Sequence, residues 1–356
     1  MSPKRKSWPR RWKRWAQRLL LAALPVCVVL LVFELALRLL VAVPVAAPPV
    51  ADDRTVLKCE HDSMVGWILP PGRSGDFDDD GVDLVIDTNA WGLRGPDYAL
   101  AADTRHIVVL GDSYAFGWGM EDEVGLVRLL EQGLRRKFPG SPVEVINGSI
   151  PGYSIYQQIR MLEYVQKRSE IHTVVATLSL ANDLIDEKRI RRFVPDRLEE
   201  FSYQWRDPVS RTARIISASS VLTFIDQRTF NLQFSLVNTR DECRDLADES
   251  LRTLATTCRK AGLPLVWVIV PRAQEIRPGG SWRRALNGAT DRLRWHFLGL
   301  AAELQVPAVD LKPVLLEVQA REEAYLSGDT HWTEAGHRAV AQAVLPEVLD
   351  IWETGK

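Results

Sequence analysis

The sequence predicts an α/β fold: a doubly wound parallel sheet flanked by helices, preceded by a transmembrane helix and a small β-rich subdomain. Three observations carry this expectation. From Arg105 onward, short apolar runs alternate with long helix-period stretches, the pattern of a parallel sheet built from strand–helix–strand units. Ile107-Val108-Val109-Leu110 is apolar without alternation, as a strand covered on both faces is. Near the N-terminus a basic stretch runs directly into a long uncharged apolar one.

That N-terminal stretch comes first in the chain. Lys4, Arg5, Lys6, Arg10, Arg11, Lys13, Arg14 and Arg18 precede any acidic residue. Leu19 to Phe33 carries no charge, and up to Val50 only Glu34 and Arg38 interrupt the apolar run. A helix over 19–43 would be roughly 37 Å long at about 1.5 Å per residue, enough to cross a bilayer. Glu34 and Arg38, four apart, can pair on one face or reach the far interface. The expected arrangement is a basic cytoplasmic tail over 1–18 and an uncleaved anchor over 19–43. Basic flanks stay inside, so the rest of the chain is expected outside a bacterial cytoplasmic membrane. A cleaved signal peptide is the competing reading, but Val45-Ala46-Ala47 beside Pro48 and Pro49 makes a poor cleavage site.

Residues 44–104 read as a proline-stiffened linker and a hairpin-rich subdomain, from Gly66-Trp67-Ile68-Leu69-Pro70-Pro71-Gly72, the alternating run Val82 to Asn89, and Gly92-Leu93-Arg94-Gly95. Asp78-Asp79-Asp80-Gly81 lacks the alternate ligands of a calcium loop and reads as a solvated turn. Over 105–356 the expected strands are His106–Leu110, Val143–Ile146, His172–Ser179, Leu263–Val270 and Val306–Asp310. The expected helices are Glu123–Lys137, Ser154–Arg168, Asp241–Ala261, Trp282–Leu304 and Thr333–Trp352, with Thr333 as N-cap of the last.

The chemistry-bearing stretch follows the first of these strands: Gly111-Asp112-Ser113, then Gly117 and Gly119. A serine just past a strand's carboxyl end sits where open α/β sheets hold their ligands. Its hydroxyl is a weak nucleophile without a base, and the base needs a third group to hold its tautomer. Asp329 and His331, in Ser327-Gly328-Asp329-Thr330-His331-Trp332, offer both from one loop. Two more strand-end blocks lie between: Ile146-Asn147-Gly148-Ser149-Ile150-Pro151-Gly152 and Leu178-Ser179-Leu180-Ala181-Asn182-Asp183.

In these four blocks, over roughly 105–352, the chain resembles the SGNH/GDSL hydrolase superfamily, and the 44–104 region is similar to a membrane-anchored subset of it. The resemblance implies a three-layer, flavodoxin-like fold. It implies Ser113 as nucleophile, His331 as base and Asp329 as the group orienting it. It also implies an oxyanion hole made of the Ser113 and Gly152 N–H groups and the Asn182 side chain. Leu180 departs from the pattern, which has Gly there.

Other residues allow rival readings. Between about 186 and 238 the pattern fails, and this insertion reads equally as a lid or acyl-binding cap and as extra packing. Trp118 and Trp332 flank the proposed catalytic residues and either line a cleft or pack. Asp112 is expected to be a turn-former. His337, six residues beyond His331, is expected to be exposed or capping, and a metal set of Asp329, His331 and His337 is set aside on its spacing. Cys59, Cys243 and Cys258 lie beyond the apolar span. Cys243 and Cys258 sit about 22 Å apart on one expected helix, too far to bridge.

A net charge of −1 gives no electrostatic case for nucleic acid. The expected function is a serine esterase without metal or cofactor, acting on a carbohydrate or lipid ester outside the cytoplasm. An O-acyltransferase of envelope glycans is the alternative within the same chemistry. A non-catalytic binding protein is the alternative outside it, and the complete Ser, Gly, Asn, Asp and His set argues against it.

Overall fold

A computed structural model describes residues 57–76, 84–193 apart from 100 and 102, 241–277 and 281–354 apart from 328, together with Pro25, Val28, Val29 and Val32. The chain divides into two units, residues 52–203 with 233–356, and residues 1–51 with 204–232. In the second unit only those four N-terminal residues are described, as helical and exposed. No helix among the described residues is long and apolar enough to cross a membrane. The expected span over 19–43 otherwise lies outside them, as do Asp78 to Asp80 and, from residue 194, the insertion.

The first unit opens with two short antiparallel pairs, β1 (Glu60–Asp62) with β2 (Gly66–Ile68) and β3 (Ser74–Asp76) with β4 (Val85–Asp87). Asp62 sets the first turn by accepting from the N–H groups of Met64 and Val65. Five parallel strands follow: β5 (Arg105–Gly111), β6 (Val143–Ser149), β7 (Thr173–Ser179), β8 (Leu265–Val270) and β9 (Ala308–Asp310). Their spatial order is β6-β5-β7-β8-β9. The chain therefore reverses direction across the sheet at β5, and ligands of open α/β sheets bind at the carboxyl ends beside such a reversal.

Both faces of this sheet are covered, as the non-alternating strands predict. On one face Val108, Leu110, Ile146, Val174, Ala176, Trp267 and Ile269 form a core. Against them lie α3 (Ile155–Gln166), α4 (Asp183–Phe193), α5 (Asp241–Lys260) and α7 (Ser281–Glu303), and the Trp67, Leu69, Ile86 and Leu93 side chains of the small hairpins join that core. On the other face Ile107, Val109, Val145, Val175, Val266 and Val268 pack against α2 (Leu126–Lys137), α8 (Leu311–Gln319) and α9 (Glu334–Thr354). Each aliphatic side chain so buried contributes about 1.5–3 kcal/mol.

Several boundaries differ from the sequence reading for local reasons. The helix expected from Glu123 splits into a 3₁₀ turn over Asp122–Val124 and α2, because Gly125 between them is extended at φ −72°, ψ 156°. Helix α4 runs into the stretch where no pattern was visible, with Asp183 and Asp186 in its first turn, where acids match the helix dipole. Helix α8 was not foreseen; Asp310 caps it by accepting from the Lys312 N–H at 3.1 Å. Thr333 does cap α9, its hydroxyl accepting from the Gly336 N–H at 3.2 Å. Cys243 and Cys258 are both buried on α5 and, like Cys59, are in no disulfide among the described residues; burial pushes the Cys258 thiol up to about 12.

Candidate active site

The end of β5 is built for a tight strand-to-helix step. A Cβ on Gly111 would lie 2.1 Å from Thr177 Oγ1 and 2.8 Å from Ala115 Cβ, so only glycine lets β5, β7 and the next turn close together. Asp112 is extended and caps α1 (Ser113–Phe116), accepting from the Tyr114 N–H at 3.0 Å, and Ser113 is its first residue. The turn-former expectation for Asp112 thus holds.

From the far end of the chain the 325–332 loop reaches back to this serine. His331 Nε2 lies 2.7 Å from Ser113 Oγ, and His331 Nδ1 lies 2.8 Å from Asp329 Oδ1. Asp329 also accepts from the N–H groups of Thr330 and His331. Burial opposes charge on Asp329, but the His331 contact and these N–H groups outweigh it and hold its carboxyl below the usual carboxylate range. The loop is tied internally by Leu326 N–H to His331 O at 2.9 Å and by a Tyr325–Trp332 bridge. Arg277, which follows the short helix α6 (Ala273–Ile276) beyond β8, clamps it from outside by donating to the carbonyls of Asp329, Tyr325 and Leu326. The Trp118 ring stacks on His331 at 5.5 Å and 29°, so the imidazole has its acceptor, its donor and one ring face fixed.

The remaining expected residues sit at the neighbouring strand ends. Ser149 at the end of β6 is paired with Gly111, and the Ile150 N–H donates to Gly111 O at 3.4 Å. Two residues on, Gly152 adopts the left-handed φ of 77°, which favours glycine. Beyond β7, Asn182 is held at three points. Its Oδ1 accepts from Ser179 Oγ at 2.8 Å, and its Nδ2 donates to Asp112 Oδ2 at 2.9 Å and to Asp186 Oδ2 at 3.1 Å. Leu180, at the position where glycine was expected, is buried in the core, and its N–H donates to Val270 O.

Sequence reasoning missed the carboxyl groups around Asn182. Asp112 and Asp183 are fully buried and Asp186 largely so, and burial raises each. Asp186 is pushed up to about 6 by burial, against the pull of Arg189 and of Asn182. An N-D-x-x-D spacing at a helix start was a usable signal, since residues four apart share a helix face. Arg277 had no signal in the sequence.

His337 corrects an expectation: it is 1% exposed, and its Nδ1 accepts from the Leu126 N–H at 3.1 Å. It therefore caps α2, not its own helix. Trp332 is fully buried between Tyr114 and His337, so it packs and does not line a cleft. Among the described residues no group of three or more His, Cys, Asp or Glu side chains is placed to hold a metal ion.

His337 should make the fold acid-sensitive. Burial, with Arg94 and His331 adding to it, pushes its imidazole from 6.5 down to about 3. Because the folded value lies below the unfolded one, this stability is complete above about 6.5 and is lost as pH falls toward about 3. His337→Gln keeps an acceptor for Leu126 and removes the titration. Thermal unfolding midpoints of the two proteins should converge as pH drops from neutral to about 4, the wild type losing up to about 1.4 kcal/mol per pH unit more than the variant. Parallel curves would show that His337 does not titrate in this way.

A serine at the reversal point of a doubly wound sheet, hydrogen-bonded to a histidine, is the frame of a serine hydrolase. The family model of the GDSL-like lipase/acylhydrolase family matches residues 109–339, and the chain belongs to that family. Among solved structures, TesA is 16% identical with a TM-score of 0.40, the match covering 68% of this chain and 98% of that one. The acetylxylan esterase Axe2 from Geobacillus stearothermophilus is 16% identical with a TM-score of 0.41, covering 68% and 94%. No curated protein matches the chain.

Proposed function

We propose that this protein is an extracytoplasmic serine esterase that removes, or transfers, an acyl group of a carbohydrate or lipid ester, anchored by its N-terminal apolar stretch. The observation that carries the catalytic reading is the continuous Ser113–His331–Asp329 chain of hydrogen bonds at 2.7 and 2.8 Å. Ser113 Oγ attacks the ester carbonyl carbon while His331 Nε2 takes the hydroxyl proton. Asp329, kept ionised, accepts from Nδ1–H and stabilises the imidazolium. The tetrahedral oxyanion faces the N–H groups of Ser113 and Gly152 and the Asn182 amide. Collapse breaks the bond to the alcohol oxygen, which receives the proton from His331 and leaves. A second hydroxyl, from water or from an acceptor sugar, gives its proton to His331 and attacks the acyl-serine; the bond from the acyl carbon to Ser113 Oγ then breaks, and His331 returns the proton to Oγ. Which acceptor enters decides between esterase and acyltransferase, and the same residues serve both.

The location rests on the basic flank of 1–18 and the apolar run after it. One experiment tests location and substrate together. Bacterial cells expressing the full chain are given an acetylated oligosaccharide that cannot cross the membrane. Acetate release should be equal before and after lysis and absent with Ser113→Ala. Release only after lysis would sink the external location. Cleavage of a small aryl acetate but never of the oligosaccharide, even after lysis, would sink the carbohydrate substrate.

A further inference from the structure

The hairpin region ahead of the sheet lies outside residues 109–339, the stretch matched by the family model, yet one of its side chains reaches the segment that follows Ser113. Arg94 follows a turn in which Asn89 Oδ1 accepts from the N–H groups of Trp91 and Leu93, and it forms an antiparallel bridge with Thr88. Its side chain is 2% exposed. Nη1 donates to Gly117 O at 2.7 Å and to Phe116 O at 3.2 Å, and Nη2 donates to Met120 O. The group lies 5.2 Å over the Phe116 ring, with Asp122 at 3.9 Å as its counter-charge. Asp122 is itself fixed by Arg128 at 2.7 Å.

These three carbonyls bracket Trp118, the ring stacked on His331. The segment leaves α1 through Gly117 at φ 86°, and a Cβ there would lie 3.1 Å from Arg94 Nη1, so backbone and guanidinium approach as closely as a glycine permits. A planar fork of five donors suits this role; an ammonium point charge cannot span three carbonyls in fixed directions.

We infer that Arg94 is a positioning residue: by holding the carbonyls of Phe116, Gly117 and Met120 it sets Trp118, and through the Trp118 stack it sets the ring of His331 against Ser113. The hairpin region then completes the catalytic site from outside the family core. This rests on the Ser113–His331 reading given above. The reacting pair keeps all its atoms when Arg94 is lost but misaligns, and small misplacements of reacting groups are costly.

The test is a double-mutant cycle on the full-length protein, with folding checked by near-ultraviolet circular dichroism. Arg94→Ala and Trp118→Leu should each lower kcat on an aryl acetate by about 10- to 100-fold with little change in KM. The double variant should be no slower than the slower single one, because both act along one path. Guanidinium ions in the tens of millimolar should restore part of the Arg94→Ala rate, whereas potassium chloride of equal ionic strength should not. If the alanine form does not fold, Arg94→Lys takes its place in the cycle, with a smaller kcat loss and the same non-additivity expected. Multiplicative losses in the double variant, or a wild-type kcat in a folded Arg94 variant, would overturn the inference. Full activity in Ser113→Ala would instead overturn the nucleophile assignment, so the two failures are distinguishable.

Discussion

Ser113→Ala is expected to reduce ester turnover to background, a loss on the order of 10⁶-fold, and to abolish covalent labelling by an organophosphonate. The side chain removed is the one hydrogen-bonded to His331 Nε2 at 2.7 Å, and Asp112 beside it is occupied as a helix cap. His331→Ala should match that loss, and the double variant should be no slower than either, because nucleophile and base act as one unit. Asp329→Ala should cost less, about 10⁴-fold, since the Trp118 stack still holds the ring while its tautomer is no longer enforced. Mass spectrometry of the labelled protein, beside kcat, checks each of these. Persistent labelling of Ser113→Ala at another residue would move the nucleophile, and loss of wild-type activity to a chelator would reopen the metal reading.

The parts of this site that were legible in the sequence are those whose geometry is set locally. A strand ending at Gly111 puts Ser113 at the first position of a helix, whatever lies across the sheet. Asp329 and His331 share one short loop, so their spacing alone brings carboxylate and imidazole together. Thr333 as a cap follows from the same local logic. The unread parts depend on contacts between distant residues. Nothing near His337 announces that it accepts a hydrogen bond from Leu126. Arg94 reaches the carbonyls after the nucleophile across the boundary between hairpins and sheet, and Arg277 reaches the histidine loop from the end of a short helix beyond β8. Hydrophobic period and capping residues encode where an element runs, while its side-chain partners follow from strand order. The order β6-β5-β7 is what sets Asp112 and Asn182 side by side.

That juxtaposition bears on the second large effect. Asn182→Ala should lower kcat on the order of 10²–10³-fold while leaving KM nearly unchanged, as loss of a donor aimed at a transition-state charge does. In the resting site the two N–H groups of Asn182 point to Asp112 Oδ2 and Asp186 Oδ2, so serving an oxyanion means giving one of them up. Burial raises both Asp112 and Asp186, which lowers the charge on the two carboxyl groups that compete with the oxyanion for these donors. Asn182→Asp should therefore be worse than Asn182→Ala. It has the shape of the native side chain, but it replaces the donor by an acceptor and adds a further carboxyl between Asp112 and Asp186. Its unfolding temperature should fall below that of the alanine variant at neutral pH, with part of the deficit recovered on acidification as the crowded carboxyl groups take up protons. A kcat for Asn182→Ala within threefold of wild type would remove the side chain from the oxyanion hole. The Ser113 and Gly152 N–H groups would then be the donors there, and Asn182 would serve to tie β5 to α4 through Asp112 and Asp186.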